Sequence, residues 1–163
     1  MTAAESLLPE FDTEMATTRR VLERVPSDKG SWKPHQKSFP IGHLAQLVSS
    51  MPSWITNTLR EKELDLAGFK GYTLESTDTL LARFDQNVRD ARSALASTAD
   101  ADLADSWALK HGGQVLFTAP RGSVVRGHIN HLIHHRGQLS VYLRLLDIPV
   151  PSIYGPTADE RPW

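Results

Sequence analysis

Asn130-His131-Leu132-Ile133-His134-His135-Arg136-Gly137-Gln138 places three histidines within five residues, inside a segment whose apolar residues recur at helical spacing. His131 and His135 are four apart, so on a helix their side chains stack one turn above the other. Two imidazoles placed that way reach a single first-row metal ion. His134 and His135 are neighbours and point in different directions, so they do not share a site. Extended both ways, the pattern predicts a helix from about Arg121 to Leu146. At roughly 100° per residue, Val124, Val125, Leu132, Leu139, Tyr142, Leu143 and Leu146 form its inward arc. His128 and His135 fall inside that arc and His131 at its edge. Core histidines satisfied by carbonyls or waters give the same pattern, so the packing and ligand readings both stand.

Three further helices supply packing partners. The first is expected from about Glu5 to Val25, with Leu8, Phe11, Met15, Leu22 and Val25 on one face, ended by Pro26. The second opens near Pro40 and buries Ile41, Leu44, Val48, Met51, Ile55 and Leu59, with a kink expected at Pro52. After a connector at 68–75, the third starts from Ser76 or Thr77 and faces inward with Leu81, Phe84, Val88, Ala91 and Leu95. Trp107-Ala108-Leu109-Lys110 and Val115-Leu116-Phe117-Thr118, joined by His111-Gly112-Gly113-Gln114, read as a short hairpin. Pro149, Pro151 and Pro156 impose an extended tail after the last helix. The expected fold is all-α: a four-helix bundle in one domain over 1–163, with a short β-hairpin before the last helix and a Pro-rich tail.

Composition narrows the function. Eighteen Lys+Arg against nineteen Asp+Glu leave a net charge of −1, which argues against a dedicated nucleic-acid or anionic-membrane binder. The chain has no cysteine, so disulfides, thiolate metal sites and a cysteine nucleophile are excluded. No signal-peptide pattern and no membrane-length apolar run is present, so a cytoplasmic protein is expected. His134, Gln138, Val141 and Leu145 form a second stripe on the last helix, readable as wider core or as a homodimer seam. Trp32, Trp54, Trp107 and Trp163 read first as packing residues and second as a ligand-stacking set. The terminal Glu160-Arg161-Pro162-Trp163 is free to fold back over the helices or over a partner subunit.

Asn130-His131-x-x-x-His135-Arg136-Gly137-Gln138, the following Leu139-Ser140-Val141-Tyr142-Leu143-Arg144 and the tail from Pro149 to Pro156 resemble the DinB-like (damage-inducible) family. Trp32-Lys33-Pro34-His35-Gln36-Lys37-Ser38-Phe39 with Leu44-Ala45 resembles that family's approach to its second helix. The resemblance implies a four-helix bundle with a long crossover, frequent homodimers, and zinc or nickel held by three histidines. His131 and His135 match two of those ligands. The third family position, after the Leu-Ala pair, is Leu47 here. His43 lies one turn earlier and is the substitute candidate, although one turn is about 5.4 Å against a metal–nitrogen bond of roughly 2 Å. His35 and then His128 follow. Asn130 and Gln138 stand where they would hydrogen-bond and orient ligands or substrate. Arg136 reads as a structural ion pair or a contact to a helix end or the tail, with an anionic substrate as the alternative.

Two function classes follow. The resemblance implies a divalent-metal-dependent transferase or hydrolase acting on a small molecule. Distant relatives in the superfamily use low-molecular-weight thiols, and such a thiol here must come from a cosubstrate. A metal with open positions would lower the pKa of bound water or thiol. The alternative is a non-catalytic, stress-related binding or interaction bundle with a degenerate metal site. No Ser-His-Asp set and no phosphate-binding glycine loop is readable, and no catalytic residue is assigned.

Overall fold

The computed structural model describes residues 3–161, except for the side chains at 3 and 5. Trp163 lies outside the described residues. Helix α1 spans Ala3–Leu22, α2 Ile41–Arg60, α3 Thr77–Ser97, α4 Asp100–Ala104 and α5 Arg121–Leu145. Strands β1 Glu63–Asp65, β2 Ser106–His111 and β3 Gln114–Pro120 form one sheet in the order β1-β2-β3. The chain is therefore mostly helical, and the all-α expectation is corrected by a three-stranded sheet. Among the described residues no helix is long and apolar enough to cross a membrane.

The four long helices follow the apolar periodicity. On α2, Ile41, Leu44, Val48, Met51 and Ile55 are all at most 1% exposed, which is the stripe expected at 3.6-residue spacing. Pro52 lies inside that helix and is itself buried. Ser76 caps α3, its hydroxyl accepting from Thr79 N at 3.2 Å. Helix α1 ends three residues earlier than expected. Arg24 and Val25 hydrogen-bond three residues back, a tight last turn before Pro26, which disfavours helical backbone at the residue preceding it. Both α1 and α2 pack against α3 and α5. Glycine is required at Gly42: a Cβ there would sit 2.9 Å from the Gly30 carbonyl oxygen, which the Gly42 N–H itself approaches.

The sheet exceeds the expected hairpin. Gly112 and Gly113 adopt φ of +58° and +80°, the two-residue turn that suits a twisted hairpin. Strand β1 pairs parallel with β2, Glu63 opposite Ala108 and Asp65 opposite Lys110. The Asp65 carboxylate pins this arrangement, accepting from Ala67 N and Gly112 N at 2.9 Å and from Gly113 N at 2.7 Å. Those amide bonds, Ala67 first, hold its pKa below the usual carboxylate value.

On α5 the buried set is Arg121, Val124, Val125, Ile129, Leu132, His135, Arg136, Leu139 and Leu143. Ile129 and Arg136 join the predicted arc. The second stripe is not wider core, because Val141 and Leu145 are each 56% exposed and His134 and Gln138 are exposed too. Residues 149–161 carry no regular secondary structure. They are tied back to the helices, with Glu160 paired to Arg20 of α1 and Asp159 to Arg144 of α5.

Candidate functional site

Helix α5 presents a row of imidazoles towards α2 and the sheet. His128, His131 and His135 are three and four residues apart, so they line one face for two turns. His131 Nε2 and His135 Nε2 lie 2.9 Å apart. His135 Nδ1 is 2.7 Å from Gln138 Oε1 one turn on. The amide oxygen can only accept, so His135 Nδ1 carries the proton and donates it. The predicted pair is thus brought together, with Gln138 orienting it. Asn130 is exposed on α5 and does not hold the pair.

His128 serves differently. Its Nε2 lies 3.1 Å from Thr58 Oγ1 on α2, and its ring sits edge-on to Trp54 and Trp107. Burial, and secondarily the charge of His131, push its pKa down to about 4, so it is neutral near pH 7. His131 is lowered in the same direction, first by burial and then by its histidine neighbours.

The expected third ligand does not join them. His43 is stacked between Phe39 and Tyr72, with ring centroids 4.3 Å from each. Leu47, where the resemblance implied a third ligand, is 7% exposed and belongs to the hydrophobic core. His35 is exposed in its loop, where Nδ1 accepts from Lys37 N. Among the described residues no three His, Cys, Asp or Glu side chains converge to hold a metal ion. The set His43, His131 and His135 is therefore not assembled: the stacking of His43 on two aromatic rings keeps it at the rim of α2. The donors present fit two coordination positions and do not fit a three-histidine centre.

Beside the pair lies a cleft of about 1260 Å³ between α2, α5 and the sheet. Trp54, Phe69, Tyr72, Trp107 and Phe117 give it aromatic walls, and His128 and His131 line one side. Trp54 faces His131 at 5.8 Å between ring centroids. Of the four tryptophans, Trp54 and Trp107 thus belong to the cleft, while Trp32 packs edge-on against Tyr142. Trp107 Nε1 and Asn57 Oδ1 are buried without a hydrogen-bond partner. Sequence reasoning missed most of this wall, because Leu64 comes from β1, Phe69 and Tyr72 from the connector and Phe117 from the hairpin. A signal was available on α2: Ser50, Ser53 and Asn57 form a polar row at helical spacing beside Trp54.

The buried Arg136 fits the structural reading. Its guanidinium pairs with Glu14 of α1 at 2.6 Å and donates to Thr18 Oγ1 at 3.2 Å and Tyr154 Oη at 2.9 Å. It is 1% exposed and does not line the cleft.

Comparison with known proteins bears on this geometry. A DinB-like protein from Bacillus cereus superposes with a TM-score of 0.70 at 22% identity, covering 92% of this chain and 97% of that one. A DinB-like protein from Bacillus subtilis, YjoA, gives 0.70 at 17% identity, covering 91% and 96%. These likenesses show a shared fold. The uncharacterized protein YrdA of Bacillus subtilis is 46% identical over 41 residues, a quarter of each chain. The DinB family model matches residues 1–161, so this chain belongs to the DinB family.

Proposed function

We propose that this chain is a small-molecule-binding member of its family. The cleft between α2, α5 and the sheet is the binding site, with His128 and His131 on its polar side and His131 held through His135 by Gln138. The observation that carries this reading is the cleft: it is somewhat larger than the roughly 300–1000 Å³ of ordinary ligand pockets, and it combines aromatic walls with few polar groups.

Gly127 supplies the test. It lines the cleft on α5, and a Cβ there meets nothing within 4 Å. Gly127→Phe therefore places a ring on the cleft wall from an unobstructed Cβ, and leaving glycine favours the helix by up to about 1 kcal/mol. The fluorescent probe N-phenyl-1-naphthylamine is expected to bind the native chain and at least about tenfold more weakly to Gly127→Phe, at unchanged or higher Tm. No binding to the native chain, or equal binding to both, overturns the reading.

A second reading has its own observation. His131 Nε2 and His135 Nε2 face each other, and Gln138 holds His135 with Nε2 free of its proton, the form a metal ligand requires. Zinc or nickel would be held by these two residues and would supply Lewis-acid polarisation when bound. Calorimetric titration should then show weak binding that is lost in His131→Ala and His135→Ala and retained in His43→Ala. Loss in His43→Ala restores the three-histidine set. The metal-dependent thiol transferase or hydrolase implied by the resemblance needs that third ligand and ranks below binding.

A further inference from the structure

The hydrogen-bond chain on α5 fixes more than an orientation. Because Gln138 Oε1 accepts from His135 Nδ1, a neutral His135 has an unprotonated Nε2. At 2.9 Å that nitrogen accepts from His131 Nε2, which must then carry its ring's proton. The neutral His131 is left with Nδ1 as a bare lone pair, and no described residue donates to it. The chain of donors runs one way, from the cleft side of α5 towards Gln138, and ends in an acceptor on a residue that lines the cleft.

The charges beside it restrict what that acceptor meets. Among the described residues no Lys or Arg lines the cleft. The one carboxylate among the described lining residues, Asp65, accepts from backbone N–H groups at both oxygens. An anion finds no cation there, and the Asp65 carboxylate is already engaged by three backbone N–H groups. Ser50 and Ser53 spend their hydroxyl protons on carbonyls of their own helix, Gln46 O and Ser50 O, so they too offer lone pairs.

We infer that the ligand is a neutral aromatic molecule bearing a hydroxyl donor, of the phenol class, with its O–H on His131 Nδ1 and its ring against Trp54. This rests on the cleft reading above and adds the donor to it. His131 is exposed enough that replacing it does not endanger the fold, whereas Gln138 acts only through His135 and is a positioning residue.

The test compares 2-naphthol, 2-methoxynaphthalene and 2-naphthoate by quenching of tryptophan fluorescence. The native chain is expected to prefer 2-naphthol to its methyl ether about tenfold, the size of one net hydrogen bond, and to bind 2-naphthoate most weakly. His131→Phe should keep the ether and lose the preference. Nitrogen-15 shifts of the rings should report His131 protonated at Nε2 and His135 at Nδ1, with that order lost in Gln138→Leu. Equal binding of naphthol and ether, or His131 protonated at Nδ1, overturns the donor inference and leaves the cleft reading intact. Failure of all three probes to bind overturns both.

Discussion

Arg136 and His135 are consecutive on α5 and point into two polar clusters built to opposite rules. Around Arg136, the charge is balanced by Glu14, Tyr154 Oη donates to Glu14 at 2.9 Å while accepting from the guanidinium, and the Tyr154 ring lies 5.3 Å from the cation. That cluster joins α1, α5 and the tail and leaves no group for a ligand. Around His135, two imidazoles and an amide form an open-ended chain whose last member, His131, lines a cleft. A buried ion pair costs heavily when one member is lost, whereas replacing an exposed ring such as that of His131 costs little. The difference separates fastening from function on one helix.

Removing one charge is the strongest way to break this contrast. Arg136→Met leaves Glu14 buried and uncompensated, so unfolding by urea should show a loss of about 3–5 kcal/mol. The double change Arg136→Met with Glu14→Leu should recover most of it, and no recovery would show that Arg136 acts through packing alone.

Next in size is a pH effect on the imidazole side. His128 has a folded pKa of about 4 against 6.5 in the unfolded chain. The neutral ring is the one the fold favours, so its contribution is complete above about 6.5 and declines as pH falls. Below about 4 it is gone, a total of about 3 kcal/mol. His131, lowered in the same direction, adds to the slope. Denaturation curves between pH 7 and 4 should show this decline, and His128→Gln should flatten it. An unchanged slope in that variant would place the pH dependence elsewhere.

Smaller still is Tyr154→Phe, which deletes the hydroxyl shared by Glu14 and Arg136 and should cost about 1 kcal/mol. His131→Phe should alter stability by less than about 0.5 kcal/mol, as for most exposed positions, while changing ligand choice. If thermal unfolding reversed that order, the division between fastening and binding clusters would fail.

Much of this was legible in the chain. The 3.6-residue stripes of Ile41 to Ile55 and Val124 to Leu143 specify helices because burial of one face is a local periodic property. The four-residue spacing of His131 and His135 fixed their contact, and Gln138 three residues on fixed their tether, since all three ride one helix. Ser76 was readable as a cap for the same reason. Strand β1 was not. Its Glu63-Leu64-Asp65 is too short and too polar to show a period, and it exists because β2 offers it a parallel edge and Gly112 and Gly113 offer Asp65 their amides.

Distance along the chain marks where sequence stops deciding. Whether His43 would reach the pair depended on the register of α2 against α5 and on the rings of Phe39 and Tyr72, which come from two separate loops. The cleft likewise draws its walls from α2, the connector, the hairpin and α5. Spacing within a helix is set by backbone geometry and can be read residue by residue. Convergence between elements is set by packing, and here packing gave His131 a cleft and left His43 outside it.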